Sequence, residues 1–80
     1  MKITVLLFGI LKDIIERNSI ELIVEEGVNI EYLKGLILKN HGKLIDYSNF
    51  SIAVNEAYVD LNYRLKNNDV VALIPPVSGG

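Results

Sequence analysis

Residues 70–80 read Val70-Val71-Ala72-Leu73-Ile74-Pro75-Pro76-Val77-Ser78-Gly79-Gly80, an apolar run followed by two prolines and a small-residue ending. The run is apolar at odd and even positions alike, which is typical of a central strand whose two faces are both shielded from water. Pro75 has no backbone N–H and therefore ends the hydrogen-bonded ladder. We predict that a folded domain covers residues 1–74 and that residues 75–80 form a flexible tail.

The first segment of the chain, residues 1–9, is the other run that is apolar at both odd and even positions. We therefore predict that it pairs with the last strand at the centre of the sheet. The remaining strands are predicted at residues 20–25, 50–54 and 58–60. The last two of these flank Asn55-Glu56-Ala57, which predicts a hairpin turn, and Asn67-Asn68-Asp69 predicts a second tight turn because asparagine tolerates left-handed backbone.

One substantial helix is predicted after the second strand. Asn29 suits the N-cap position, and Glu31 suits the positive end of the helix dipole. The apolar stripe of this helix consists of Ile30, Leu33, Leu36 and Ile37. We expect the helix to end near His41, which suits a cap better than a catalytic base because no serine or carboxylate is patterned around it. A shorter helix is predicted over residues 10–16.

The predicted order is strand, short helix, strand, long helix and then three strands. It describes an α+β domain of the ubiquitin-like β-grasp type, with a five-stranded mixed sheet covered on one face by one main helix plus a short helix. The first strand must then turn either Ile3, Val5 and Leu7 or Thr4, Leu6 and Phe8 toward the uncovered face. We predict a partner surface there, because exposed apolar area on a small domain tends to mark an interaction site. The alternative is that the connection at residues 43–49 covers this face.

The composition excludes several classes of function. The 80-residue chain has no cysteine, which excludes disulfides and a thiol nucleophile and fits a cytoplasmic location. Its net charge of −2 gives no support to nucleic-acid binding. The apolar runs are far shorter than a membrane span, and the start of the chain has no signal-peptide pattern, so we expect neither membrane insertion nor secretion.

The tail is the segment that carries a group able to react once it is activated, the α-carboxylate of Gly80. Fully extended, residues 75–80 reach at most roughly 20 Å. Gly79 and Gly80 have no side chains and can enter a channel that is too narrow for other residues. The α-carboxylate of Gly80 is a poor electrophile and needs activation, typically adenylation, before a sulfur or amine nucleophile attacks it. A Gly-Gly ending alone is also found in inert termini, so its meaning depends on the sequence before it.

The whole chain resembles the ubiquitin-like sulfur carriers of the molybdopterin and thiamine pathways, and among them the small subunits of molybdopterin synthase. The matching segments are residues 5–9 with Lys12-Asp13, residues 28–33, residues 53–55 and residues 68–80. The Pro-Pro-Val-Ser-Gly-Gly ending is the most specific of these, since thiamine carriers usually lack the double proline. The chain departs from the family pattern at Asn68, where glycine is usual, and at Leu73-Ile74, where aromatic residues are frequent.

The resemblance implies a mechanism. A ubiquitin-activating-like adenylyltransferase would use ATP and Mg²⁺ to adenylate Gly80, and a persulfide sulfur donor would convert the adenylate to a thiocarboxylate; no cofactor would bind the chain itself. The tail would then enter the large subunit of molybdopterin synthase, in a heterotetramer, and donate sulfur to cyclic pyranopterin monophosphate. The tail residues that would line the channel are Pro75, Pro76, Val77, Ser78 and Gly79. Carried over by position, the apolar contacts with the large subunit are Phe8, Tyr58 and Ile74, which selects the Thr4, Leu6 and Phe8 set as outward.

Other functions remain open. The same activated Gly80 serves a sulfur carrier for thiamine synthesis or tRNA thiolation, and it also serves a ubiquitin-like modifier that is joined to lysines of other proteins. A third hypothesis is a plain interaction domain with an inert tail. In every case the chain supplies no acid, base or metal site of its own, so we interpret it as a subunit that carries a reactive group and not as a stand-alone catalyst.

Overall fold

The structure is a computed structural model that describes residues 1–76, in which five strands and three helical segments build the fold. The strands are β1 (Lys2–Leu7), β2 (Ser19–Ile23), β3 (Ser51–Val54), β4 (Ala57–Tyr58) and β5 (Val70–Ile74). The helices are α1 (Gly9–Ile15), α2 (Ile30–Asn40) and a 3₁₀ helix (Gly42–Tyr47). The predicted α+β β-grasp is confirmed, and the 3₁₀ helix occupies most of what was predicted as a plain connection.

Strands β1 and β5, which are apolar at both odd and even positions, lie side by side, as predicted. The sheet order is β2-β1-β5-β3-β4, and β1 and β5 are parallel while the other neighbours are antiparallel. In the parallel pair Leu7 lies opposite Leu73. Because parallel strands run in the same direction, the C-terminal ends of β1 and β5 meet at one end of the sheet, where Pro75 and Pro76 follow β5.

Helix α2 covers one face of the sheet. Its N-cap is Asn29, whose side-chain Oδ1 accepts a hydrogen bond from the backbone N–H of Tyr32 at 2.9 Å, as predicted. From the predicted stripe Ile30, Leu33 and Ile37 are fully buried, and Leu36 is half-buried. They share a single core with the odd-numbered residues of β1 and with Val71 and Leu73 of β5. Burial of these side chains against the sheet is what stabilises the helix.

Strands β1 and β4 are shorter than the sequence predicted. Strand β1 ends at Leu7 instead of Gly9, because Phe8 becomes the N-cap of α1 and Gly9 takes a left-handed φ of 55°. Strand β4 ends at Tyr58 instead of Asp60, whose Oδ1 accepts the backbone N–H of Asn62 at 2.8 Å in the turn that follows. Both strands therefore end where a local turn competes with sheet pairing.

A buried carboxylate links the β3–β4 turn to the start of β5. Asp69 is 6% exposed; its Oδ1 accepts a hydrogen bond from Asn55 Nδ2 at 2.9 Å and its Oδ2 accepts one from the Lys66 backbone N–H at 2.8 Å. The Oδ1 of Asn55 in turn accepts the backbone N–H of Val70 at 3.0 Å. Asn55 also has a left-handed φ of 49°, which asparagine tolerates better than most residues. The side chain of Asn55 therefore connects the β3–β4 turn both to the buried carboxylate of Asp69 and to the backbone at the start of β5.

We expect Asn55→Ala to lower the free energy of unfolding by about 2–3 kcal/mol, because it removes a partner from the buried Asp69 and places alanine at a left-handed position. Urea denaturation measures the change. The control is Asn62→Ala, at an exposed asparagine whose side chain makes no hydrogen bond within residues 1–76; we expect a change within about 0.5 kcal/mol. Equal losses in the two variants would show that the Asn55–Asp69 link does not stabilise the fold.

Candidate functional site

The sheet face opposite α2 carries the even-numbered side chains of β1. Ile3, Val5 and Leu7 are buried in the core, whereas Thr4 and Leu6 are half-buried and Phe8 is exposed. The 3₁₀ helix packs against α1 and α2, on the helical side of the sheet. The structure therefore turns Thr4, Leu6 and Phe8 outward, and we refer to this surface as the open face.

The strand register aligns one row of side chains across the open face, since directly opposed residues point to the same side of a sheet. From β2 to β4 the row consists of Ser19, Leu6, Ala72, Ala53 and Tyr58. Ala72, a small side chain at the centre of this row, lines a trough in the face. Its lining is apolar along Leu6, Phe8 and Val70 and polar at the hairpin end, where Asn55 and Glu56 lie. This trough has the apolar floor and polar rim that are common in protein interfaces.

All three residues that the resemblance carried over as partner contacts lie on the open face. Phe8 is 46% exposed, Tyr58 is 71% exposed and Ile74 is half-buried. The register of Leu7 opposite Leu73, continued by one residue, places Phe8 beside Ile74 at the end of the sheet where Pro75 follows β5. Tyr58 lies farther away, on the edge strand β4. The structure thus brings Phe8 and Ile74 together, and the role of all three as partner contacts stays a prediction.

The tail leaves the sheet against Gly9. A Cβ atom added to Gly9 would lie 3.0 Å from Cγ of Pro75. Pro75 is half-buried and Pro76 is exposed. This contact was not predicted, because the predicted first strand extended to Gly9; a glycine directly after an apolar strand was the available signal for a left-handed turn. The predicted channel residues Val77, Ser78 and Gly79 and the predicted reactive residue Gly80 lie outside the described residues.

Residues 1–76 contain neither a cluster of metal-ligand side chains nor a helix that could span a membrane. No three histidine, aspartate or glutamate side chains in this part of the chain are grouped as metal ligands would be. No helix here has both the length and the apolar character needed to cross a bilayer.

At the other end of the open face, exposed Ile23 lies opposite Lys2, whose Nζ forms a salt bridge with Glu21 Oε1 at 3.4 Å. What the described residues present is a partly exposed apolar face next to the point where Pro75 follows β5.

Comparison with known proteins places the chain in a family. The model of the ThiS family matches residues 5–80. The chain belongs to the ThiS family. A curated relative, the molybdopterin synthase sulfur carrier subunit of Dictyostelium discoideum, is 33% identical over 82 residues, covering 95% of this chain and 93% of the relative. These matches confirm the resemblance that the sequence motifs indicated, and the family model includes the segment that carries Gly79 and Gly80.

Solved structures of similar proteins support the same grouping. A candidate molybdopterin converting factor, subunit 1, from Pyrococcus furiosus is 30% identical, with a TM-score of 0.87 over 96% of this chain and 99% of that one. A chain from the complex of subunits 1 and 2 of the Helicobacter pylori molybdopterin-converting factor is also 30% identical, with a TM-score of 0.74 and full coverage of both chains. The β-grasp architecture of this family member is therefore shared along its whole described length.

Proposed function

We propose that this chain is the sulfur carrier subunit of molybdopterin synthase. The observation that carries the proposal is the match to the Dictyostelium sulfur carrier subunit along 95% of the chain. The described geometry is consistent with it, because an apolar face lies next to the point where Pro75 leaves the sheet. A carrier needs both features: a surface by which a partner holds it and a chain end that reaches the partner's active site.

The proposed chemistry takes place on the α-carboxylate of Gly80. A ubiquitin-activating-like adenylyltransferase, with ATP and Mg²⁺, would join a carboxylate oxygen to the α-phosphate as pyrophosphate leaves. A persulfide would then attack the acyl carbon as AMP leaves. A thiol would reduce the resulting acyl disulfide, so that the chain ends on a thiocarboxylate. Adenylation is needed because a carboxylate has no good leaving group, whereas the acyl-adenylate has AMP.

The large subunit would cover the open face of the carrier. Phe8 and Ile74 would contact it next to the tail exit, and Tyr58 would contact it across β3. The tail, including Ser78 and Gly79, would enter its active site, where the sulfur on Gly80 is transferred to cyclic pyranopterin monophosphate. The Helicobacter complex of subunits 1 and 2 supports such an assembly, which we propose to be a cytoplasmic heterotetramer around a dimer of large subunits.

Intact-mass measurement of the chain purified from its native cells tests the proposal. In cells that are making molybdenum cofactor, we expect a fraction of the chain to gain the mass that corresponds to exchange of one oxygen for sulfur. Fragmentation should place the gain on Gly80, because its carboxylate is the group that is activated. Incubation with the large subunit and cyclic pyranopterin monophosphate should return the mass to that of the unmodified chain.

The other outcomes of this measurement each contradict the proposal. Adducts that join Gly80 to lysines of other proteins would identify a protein modifier. A thiocarboxylate that the large subunit does not consume would identify a carrier for thiamine synthesis or tRNA thiolation. An unmodified mass throughout, in cells with active cofactor synthesis, would indicate an interaction domain with an inert tail.

A further inference from the structure

Gly9 occupies a position at which any side chain would disturb the start of the tail. It lies two residues beyond the end of β1, next to the point where β5 passes into Pro75. Its φ of 55° is in the left-handed region, and a Cβ atom here would come within 3.0 Å of Cγ of Pro75. That separation is shorter than ordinary carbon–carbon contact, which lies at about 3.5–4.0 Å.

Pro75 cannot yield to such a contact in the way that a flexible side chain would. Its Cγ belongs to a ring that closes on its own backbone nitrogen, so a change of ring pucker gives Cγ a small displacement and any larger one moves the main chain. The next residue is also a proline, and two consecutive prolines favour a stiff, extended path. Displacement at Gly9 would therefore change the direction in which the chain leaves the sheet. Gly80 follows Pro75 by five residues, up to about 16 Å along an extended chain, so a small change in direction displaces the chain end substantially.

We propose that Gly9 is a positioning residue for sulfur transfer: because it has no side chain, Pro75 packs against the backbone at the end of β1, and this contact sets the direction of the tail. The inference rests on the proposed function, since direction matters when the end of the tail must enter a partner's active site. Gly9 touches neither sulfur nor substrate, and it acts through Pro75.

The chain offers a matched control at Gly27. This residue also has a left-handed φ, of 80°, but an added Cβ would meet only Arg64 Nη1, at an ordinary distance of 4.0 Å. Gly27 is itself remote in sequence from β5 and the tail. Gly9→Ala and Gly27→Ala therefore share the backbone strain of alanine in the left-handed region. They differ in the contact with Pro75.

The experiment uses the full chain, with the thiocarboxylate installed chemically by sulfide cleavage of a fusion protein, and the purified large subunit with cyclic pyranopterin monophosphate. Single-turnover transfer at saturating large subunit should be about tenfold to a hundredfold slower for Gly9→Ala, because small misplacements of reacting groups have effects of this size. The Kd for the large subunit should change less than the transfer rate. Gly27→Ala should transfer at the wild-type rate.

Rescue separates positioning from a general loss of stability. Pro75→Ala removes Cγ, so the double variant Gly9→Ala with Pro75→Ala should transfer at nearly the rate of Pro75→Ala alone, whereas additive losses would overturn the inference. If Gly9→Ala does not fold, Gly9→Asn takes its place, because asparagine tolerates the backbone while adding the same Cβ. Wild-type transfer by the Gly9 variant would refute the positioning role and leave the proposed function standing. Failure of the wild-type chain to transfer sulfur would refute both.

Discussion

Deletion of Gly80 should abolish sulfur transfer to cyclic pyranopterin monophosphate and leave the free energy of unfolding unchanged. The deletion leaves a carboxylate on Gly79, up to about 3.3 Å short of the position that the reacting group occupies. Misplacement of about 1 Å is enough to slow a reaction a hundredfold, so a shift of one residue should remove measurable transfer. Stability should not change, because every residue of the described hydrophobic core lies between Ile3 and Leu73.

A complementary variant to this deletion is an extension of the chain by one alanine after Gly80. The extension moves the terminal carboxylate in the opposite direction and blocks Gly80 itself, so it should also abolish transfer while the deletion and the extension both fold. Urea denaturation checks folding, and intact mass checks thiocarboxylate formation. Transfer at the wild-type rate by the shortened chain would show that the proposed chemistry does not take place at Gly80.

The central part of the fold could be predicted from the sequence because its signals are local. The runs at β1 and β5 are apolar at both odd and even positions. A strand that is buried on both faces lacks the alternating polar residues of a half-exposed strand, so both runs were predicted to lie side by side at the centre of the sheet. Asn29, which caps α2, and Asn68, which has a φ of 70°, were predicted from side-chain chemistry alone. At the two asparagines one residue and its neighbours determine the backbone, whereas the pairing of β1 with β5 follows from the burial that both apolar runs require.

The choice of outward face on β1 could not be predicted from the residues alone. Both Leu6 and Leu7 are apolar, so periodicity does not distinguish the buried from the open side; the resemblance to a family selected Phe8 as outward, and the structure agrees. The Gly9–Pro75 contact and the Asn55–Asp69 hydrogen bond were also missed. They depend on strand register between segments that are distant in sequence, and no window along the chain contains both partners.

Phe8→Asp should weaken binding to the large subunit by about thirtyfold or more. Phe8 is 46% exposed on the open face, beside the tail exit, and loss of an aromatic residue from the centre of an interface often costs about 2 kcal/mol or more. A carboxylate placed in an apolar contact adds a desolvation penalty. The fold should tolerate the change, because Phe8 is the N-cap of α1 and aspartate is among the residues preferred there. Titration of labelled carrier with the large subunit measures the Kd.

Tyr32→Asp is the matched control for Phe8→Asp. Tyr32 is an aromatic residue of similar exposure, 55%, but it lies in the first turn of α2 on the side away from the open face. Aspartate suits the N-terminal end of a helix, so both variants exchange an exposed aromatic residue for a carboxylate at a favourable backbone position. We expect Tyr32→Asp to bind with the wild-type Kd. Equal weakening by both variants, or by neither, would exclude the open face as the docking surface.

Concentration separates the docking defect of Phe8→Asp from a defect in chemistry. The substitution leaves the tail and the carboxylate of Gly80 in place, so raising the large subunit above the weakened Kd should restore transfer toward the wild-type rate. Deletion of Gly80 should show the opposite behaviour, with binding retained through the open face and no recovery of transfer at any concentration. If saturation fails to rescue Phe8→Asp, then Phe8 also orients the neighbouring Gly9 and Pro75, and the open face contributes to the direction of the tail as well as to affinity.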